Sequence, residues 1–224
     1  MTTPPRVLGL DLSLTSTGIA SCTGWADTLK PPAKLRGHDR LRWLLTAVAD
    51  HTRLADLVVV EGPSYGSQAG QAGHHERAGL WWLTTHQLWT REVPVAVAPP
   101  SCVKRYATGK GNASKDAVLS AVVRRFAWFG EGNDAADAVI LAALGADQVG
   151  APMVAMPKEH RAALGGVAWP DNLPAPGACR VCGAPFLRLL APGVDPICQT
   201  CWSGEMADDD LARLAAADLA TEAA

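Results

Sequence analysis

The chain has 224 residues, of which 48% are hydrophobic and 19% are charged, so its composition is that of a globular protein and not of a disordered one. It contains no run of 18 apolar residues, and its first residues lack the basic and apolar regions of a signal peptide, so we expect no membrane association and a cytoplasmic location. The net charge of −2 does not exclude nucleic acid as a partner. Residues 1–150 carry 15 Lys and Arg against 13 Asp and Glu, whereas residues 151–224 carry 5 against 9.

The first predicted elements form a β-hairpin. Residues 6–12 are mostly apolar and include one carboxylate, Asp11; a turn of Ser and Thr follows, and residues 17–24 return as a second strand. A third short strand is predicted over Trp25–Leu29. Because an unpaired carboxylate is costly to bury, Asp11 is expected at the edge of its strand or beside a positive charge.

Helices and short apolar strands alternate over the next 120 residues. Helices are predicted over residues 38–54, 70–91, 101–107, 115–126 and 133–147, and strands over residues 57–60 and 94–98. The strand at residues 57–60 is wholly apolar, which is typical of a parallel strand buried on both faces, and Glu61 ends it. A β-hairpin followed by such βα units predicts an α/β fold with a mixed sheet and helices on both faces.

The remaining residues divide into three parts. We expect residues 1–148 to form the main domain and residues 149–177 to be a Pro/Gly-rich linker with one helical turn near residues 157–164. Residues 178–204 are predicted to form a small separate unit. Residues 205–224 are acidic and then alanine-rich, a pattern that favours a short helix.

Four carboxylates carry the first candidate site, namely Asp11, Glu61, Asp134 and Asp137. Asp11 and Glu61 lie at or near the ends of their strands, and Asp134 and Asp137 are three residues apart in the first turn of a helix, so they share one face. Acids that converge in this way repel one another unless divalent cations neutralise them, and hard oxygen ligands suit Mg²⁺ or Mn²⁺. The alternative for each of these acids alone is a structural one: Asp134 would cap its helix, and Asp137 would face solvent.

Four stretches in series resemble the RuvC family of Holliday junction resolvases, which has a ribonuclease H-like fold. They are VLGLDLSLTSTGIA, VVVEGP, VKRYATGKGNASKDAV and NDAADAVILAA, and they lie within residues 6–148. The resemblance implies that the four acids are the metal ligands of a nuclease. It also implies that Lys104 and Lys115 lie near the scissile phosphate and the DNA backbone, with Lys115 counted among the catalytic residues. Gly109 and Gly111 would let the loop that carries Lys110 approach DNA.

The chain departs from the resembled family at one functional position. Family members place an aromatic wedge three positions after the strand-end Glu, where this chain has Ser64. Tyr65 follows and is the candidate wedge, with an ordinary surface tyrosine as the alternative. A group of tryptophans, Trp81, Trp82 and Trp89, favours a core or dimer contact over base stacking, and in the resembled family this region pairs two subunits.

The second candidate site is formed by cysteines. Cys179 and Cys182 form one CxxC pair, and Cys198 and Cys201 form another after an interval of fifteen residues. Two such pairs predict a zinc ribbon with one closed, structural Zn²⁺ site, since two disulfides are improbable in a cytoplasmic chain. The ribbon would bind either DNA or a protein.

The preferred function is therefore a metal-dependent endonuclease that cleaves Holliday junctions. In this hypothesis two Mg²⁺ ions activate a water and stabilise the departing 3′ oxygen of a phosphodiester, and a homodimer makes paired nicks in a four-way junction. A nuclease with broader activity on flaps and forks is one alternative, and a non-catalytic DNA-binding or scaffold protein is another. Actin-like sugar kinases and chaperone ATPases also begin with an Asp-bearing hairpin, but nothing after residue 62 supplies their second phosphate loop.

Overall fold

Five strands form one mixed sheet in the computed structural model, which describes residues 5–63, 73–126 and 132–174. The strands are β1 (Val7–Asp11), β2 (Thr17–Ser21), β3 (Trp25–Leu29), β4 (Leu57–Glu61) and β5 (Val95–Ala98). Their spatial order is β3-β2-β1-β4-β5; β1 and β2 pair antiparallel, as do β2 and β3, whereas β4 runs parallel to β1 and β5. The predicted strands are confirmed, except that β2 stops at Ser21, three residues early. There the chain turns through Gly24, which has a φ of 100° and donates its N–H to the carbonyl of Ser21.

Helices cover both faces of this sheet, as the sequence predicts. The long helices of the described residues are α1 (Gly37–Thr52), α2 (His74–Thr90), α3 (Pro100–Thr108), α4 (Lys115–Phe126) and α5 (Asn133–Gln148). Side chains alternate along a strand, so Leu8 and Leu10 of β1 face a core shared with α1 and α2, while Val7 and Gly9 face α5. The continuous apolar runs of β1 and β4 follow from this double coverage.

Helix α5 lies unusually close to the sheet. A Cβ added at Gly9 would lie 2.1 Å from the carbonyl oxygen of Ala138, and one added at Gly18 would lie 1.9 Å from that of Asp134. Both distances are far below van der Waals contact, so only glycine allows the helix backbone to rest on β1 and β2 at these points. Nearly every residue of α5 from Ala135 onward is buried, which explains its almost wholly apolar sequence.

Residues that follow α5 pack back onto the domain. A short helix, α6 (Lys158–Arg161), and a 3₁₀ helix (Ala162–Gly166) lie against α3, and Ala168 pairs with Val97 of β5 through two backbone hydrogen bonds. These residues include the helical turn predicted near 157–164. The proposed domain limit at residue 148 stays a prediction.

Several predictions concern residues that lie outside the described ranges. They include the zinc ribbon with its four cysteines, the C-terminal helix, and Tyr65. Among the helices that the structure describes, none is sufficiently long and apolar to cross a membrane.

Candidate active site

Asp11 and Glu61 are brought side by side by strand register. Leu10 of β1 pairs with Val60 of the parallel strand β4, so the next residue of each strand, Asp11 and Glu61, lies at the same edge of the sheet. Neighbouring strands are about 4.8 Å apart. Since side chains alternate, both carboxyl groups point to the face that α5 covers, and each shifts the pKa of the other.

The N-terminal turn of α5 supplies the other two carboxylates. Gly18 pairs with Asp11 across the hairpin, and the backbone of Asp134 rests on Gly18, so the start of α5 lies directly over the end of β1. Ser16, in the hairpin turn, donates its hydroxyl hydrogen to Asp134 Oδ2 at 2.5 Å, which fixes the orientation of that carboxylate. Asp137, one turn further along, faces the same side.

All four acids line one cleft of about 470 Å³. Lys104 of α3 and Lys115 at the start of α4 line the same cleft. Lys110, the third predicted DNA-binding lysine, is exposed on the loop between α3 and α4 and does not line it. The structure thus brings together six of the predicted residues that it describes.

Burial and mutual repulsion perturb the carboxyl groups strongly. Loss of solvent, followed by the charges of Asp137 and Asp134, raises the pKa of Asp11 to about 7. Loss of solvent, followed by the charge of Asp11, raises the pKa of Glu61 to about 8. Burial likewise raises the pKa of Asp137 to about 6, although Lys115 opposes this shift. Carboxyl groups with such raised pKa values in a cleft indicate a candidate functional site.

The donor set fits hard divalent cations, because it consists of partly buried carboxylates that repel one another. Within the described ranges, no three acidic, histidine or cysteine side chains are drawn together tightly enough to hold a metal ion as they stand. Ser16 already occupies one oxygen of Asp134. The four acids would therefore need side-chain rotation within the cleft to hold divalent cations.

Helix α2 contributes cleft residues that the sequence analysis did not identify. His74, Arg77 and Trp81 line the cleft at i, i+3 and i+7 of α2, and the Trp81 indole donates its N–H to the backbone carbonyl of Glu61 at 3.0 Å. The sequence grouped Trp81 with Trp82 as a core or dimer residue. Only the i, i+3, i+7 spacing was available as a signal, and it is shared by many helices that line no site.

Another face of α2 carries an exposed aromatic stripe. Trp82 and Trp89 are 68% and 71% exposed, Leu83 is 45% exposed, and the ring of His86 stacks on Trp89 with centroids 5.7 Å apart. The alternative that these tryptophans belong to the core of the chain is therefore wrong for Trp82 and Trp89. A dimer contact through this helix face stays a prediction, and base stacking stays the less favoured alternative.

Comparison with solved structures identifies the fold of this chain. Neither the protein-family models nor the curated proteins match this sequence. RuvC of Thermus thermophilus in complex with a Holliday junction substrate superposes with a TM-score of 0.53 at 19% identity, covering 62% of this chain and 90% of RuvC. Another structure of Thermus thermophilus RuvC gives 0.51 at 19% identity over 61% and 90% of the two chains.

The yeast mitochondrial Holliday junction resolvase matches less well, with a TM-score of 0.40 at 13% identity over 63% of this chain and 78% of the yeast protein. The two RuvC structures therefore carry the comparison. The mixed five-stranded sheet with helices on both faces is therefore a RuvC-like, ribonuclease H-like fold.

Proposed function

We propose that this chain is a metal-dependent endonuclease that cleaves phosphodiester bonds in branched DNA, with four-way Holliday junctions as the preferred substrate. One observation carries the proposal. Carboxylates from β1, β4 and α5, separated by up to 126 residues in sequence, line a single cleft with two lysines on a RuvC-like fold. Four acids gain nothing by sharing a cleft unless a cation or a proton relieves their repulsion.

The roles of the residues follow from their positions. Asp11, Glu61, Asp134 and Asp137 would hold two Mg²⁺ or Mn²⁺ ions, which supply an activated water and stabilise the leaving 3′ oxygen. Ser16 keeps one oxygen of Asp134 oriented. The charge of Lys115 lowers the pKa values of Asp11, Glu61 and Asp137, which supports a role in stabilising the negative charge that a phosphodiester gains in the transition state.

Two alternatives differ in substrate and in chemistry. Ser64 at the position of the family's aromatic wedge favours a nuclease with a broader preference that includes flaps and forks, unless Tyr65 serves as the wedge. A non-catalytic DNA-binding or scaffold protein would bind the same substrates without cutting them.

A nicking assay separates these possibilities. The full-length protein is incubated with labelled four-way junction, flap, fork and duplex DNA of matched sequence, in Mg²⁺ and in EDTA. We expect Mg²⁺-dependent cuts in the junction first, and none in EDTA. Asp11→Asn should abolish cleavage and retain junction binding. Binding without cleavage by the unaltered protein in Mg²⁺ or Mn²⁺ would leave only the scaffold alternative.

The exposed stripe of α2 supports a homodimer as the active form. Two exposed indoles and a leucine on one helix face are costly to leave in water, and a second copy of the chain would cover them. A dimer also supplies the two cleavage sites that a four-way junction needs. Light scattering after size exclusion should give about twice the 23.5 kDa chain mass. Trp82→Glu should shift the protein to the monomer, and a monomeric unaltered protein would contradict the proposal.

A further inference from the structure

Two arginines and a lysine lie in or near the turn that joins α3 to α4. A Cβ added at Gly111 would lie 3.9 Å from Arg105 Nη2, and one added at Gly109 would lie 3.2 Å from His160 Nε2. Arg125 Nη2 approaches that same His160 nitrogen at 3.5 Å. Gly109 and Gly111 are at most about 7 Å apart, so Arg105 lies near one end of this three-residue turn, and the His160 ring that Arg125 approaches lies near the other. Lys110, between the two glycines in the chain, is exposed.

Within the described part of the chain, these cations have no carboxylate partners. The ion pairs found there involve Arg40, Arg42 and Arg161, and none involves Arg105, Lys110 or Arg125. Arg125 is only partly exposed, and its guanidinium contacts an imidazole nitrogen, which brings no negative charge. A partly buried guanidinium without a counter-ion is a ready site for an external anion.

His160, from α6, holds this arrangement together. It is 6% exposed, and its Nδ1 lies 2.7 Å from the backbone carbonyl of Tyr106, which can only accept a hydrogen bond. Nδ1 therefore carries the proton, and in the neutral ring Nε2 presents a lone pair toward Arg125, which can only donate. The imidazole thus joins the last turn of α3 to the side chain of Arg125 on α4.

The backbone that carries His160 is held in place by neighbouring hydrogen bonds. The next residue, Arg161, donates from Nε to Asp147 Oδ2 at 3.0 Å, and Tyr106 donates its hydroxyl hydrogen to the same oxygen at 3.0 Å. This network ties α6 to α3 and α5. The orientation of Arg125 is therefore set by residues that follow the helix carrying two of the candidate acids.

We propose that Arg105, Lys110 and Arg125 form a second phosphate-binding site around the Gly109–Gly111 turn. This site takes a backbone phosphate of a duplex arm outside the cleavage cleft, and His160 is the positioning residue that orients Arg125 toward it. The proposal rests on the proposed function, because it names where an arm of the same DNA substrate is held. It also gives the segment after α5 a role in DNA binding.

The salt dependence of binding tests the site. Junction affinity is measured on an Asp11→Asn parent in Mg²⁺, with a fluorescein-labelled immobile four-way junction, over a range of KCl concentrations. In Arg125→Ala the slope of log association constant against log salt concentration should become less negative by about 0.9. Binding should be roughly tenfold weaker at about 0.1 M salt. The matched control is Arg124→Ala, because Arg124 is exposed and its Nε donates to the carbonyl of Ser120, away from the turn. An equal loss from both variants, or none from Arg125→Ala, would overturn the site.

Two variants of His160 test whether this residue orients Arg125 or only stabilises the fold. Asparagine can replace the Nδ1 donor to Tyr106 but does not reach Arg125, whereas glutamine can place an acceptor near the position of Nε2. We expect His160→Gln to keep most of the affinity and His160→Asn to bind several-fold more weakly, although neither changes the formal charge. Thermal unfolding by circular dichroism compares their stability. Full affinity in His160→Asn would show that the residue only supports the fold and would refute its positioning role.

The parent and the unaltered protein separate this inference from the proposed function. If the unaltered protein does not cut and the parent does not bind any branched DNA, the proposed function itself fails. If cutting and binding are normal and Arg125→Ala leaves the salt slope unchanged, only the second phosphate site fails.

Discussion

The close approach of α5 to the sheet leads to a specific prediction for Gly18→Ala. The new Cβ would lie 1.9 Å from the carbonyl oxygen of Asp134, and Cβ contacts under 3.0 Å essentially never occur, so the helix start must move away by about 1.1 Å. Asp134 and Asp137 would move with it, away from Asp11 and Glu61. A displacement of about 1 Å at a catalytic group can lower the rate about 100-fold, and overpacking costs about 1 to 3 kcal/mol of stability.

A second glycine provides the control for Gly18→Ala. A Cβ added at Gly145 would lie 2.5 Å from Val7 Cγ1, so Gly145→Ala also overpacks α5 against the sheet. Gly145 is eleven residues from Asp134, about 16 Å along the helix. We therefore expect Gly145→Ala to lose stability in a similar way, and to lose only a few-fold in cleavage rate.

The assay is Mg²⁺-dependent cleavage of a four-way junction at saturating protein, normalised to the folded fraction from circular dichroism. Isothermal titration with Mg²⁺ then tests whether the lost rate reflects lost metal binding. The reasoning would be refuted by a Gly18→Ala protein that cleaves at the normal rate. Equal rate losses in both variants would also refute it, because they would trace the effect to general destabilisation.

Three further predictions concern pH, a buried ion pair and zinc. Without divalent ions, the raised pKa values of about 7 for Asp11 and about 8 for Glu61 mean that the folded state binds protons that the unfolded chain has released. The free energy of unfolding, measured by urea denaturation, should therefore fall as pH rises from about 4 to 8. Mg²⁺ at pH 8 should restore it. Arg161→Ala removes the ion-pair partner, 2.8 Å away, of Asp147, whose side chain is 1% exposed. The free energy of unfolding should fall by about 2 to 4 kcal/mol in urea denaturation, and Arg161→Lys should recover part of this loss. Elemental analysis should find one zinc per chain, and Cys198→Ser should lose it; a zinc-free unaltered protein would contradict the ribbon.

Local patterns in the sequence were sufficient for most of the secondary structure. The apolar runs of β1 and β4 and the apolar body of α5 indicate elements buried on several sides. An element that is covered by protein all round has no solvent-facing positions, so its sequence is apolar without interruption. The polar residues that interrupt such runs are conspicuous for the same reason. Asp11, Glu61, Asp134 and Asp137 could therefore be selected as candidates from the sequence alone.

Convergence of these acids was decided by tertiary contacts. The register of Leu10 with Val60 aligns two strand ends, and the bare backbone at Gly18 allows α5 to descend onto the sheet at Asp134. Neither relation is encoded in a local pattern, because each joins residues that are 50 or more positions apart in the chain. The predicted linker shows the same limit, since Pro and Gly content indicates turns but cannot reveal that His160 finds the carbonyl of Tyr106, 54 residues away.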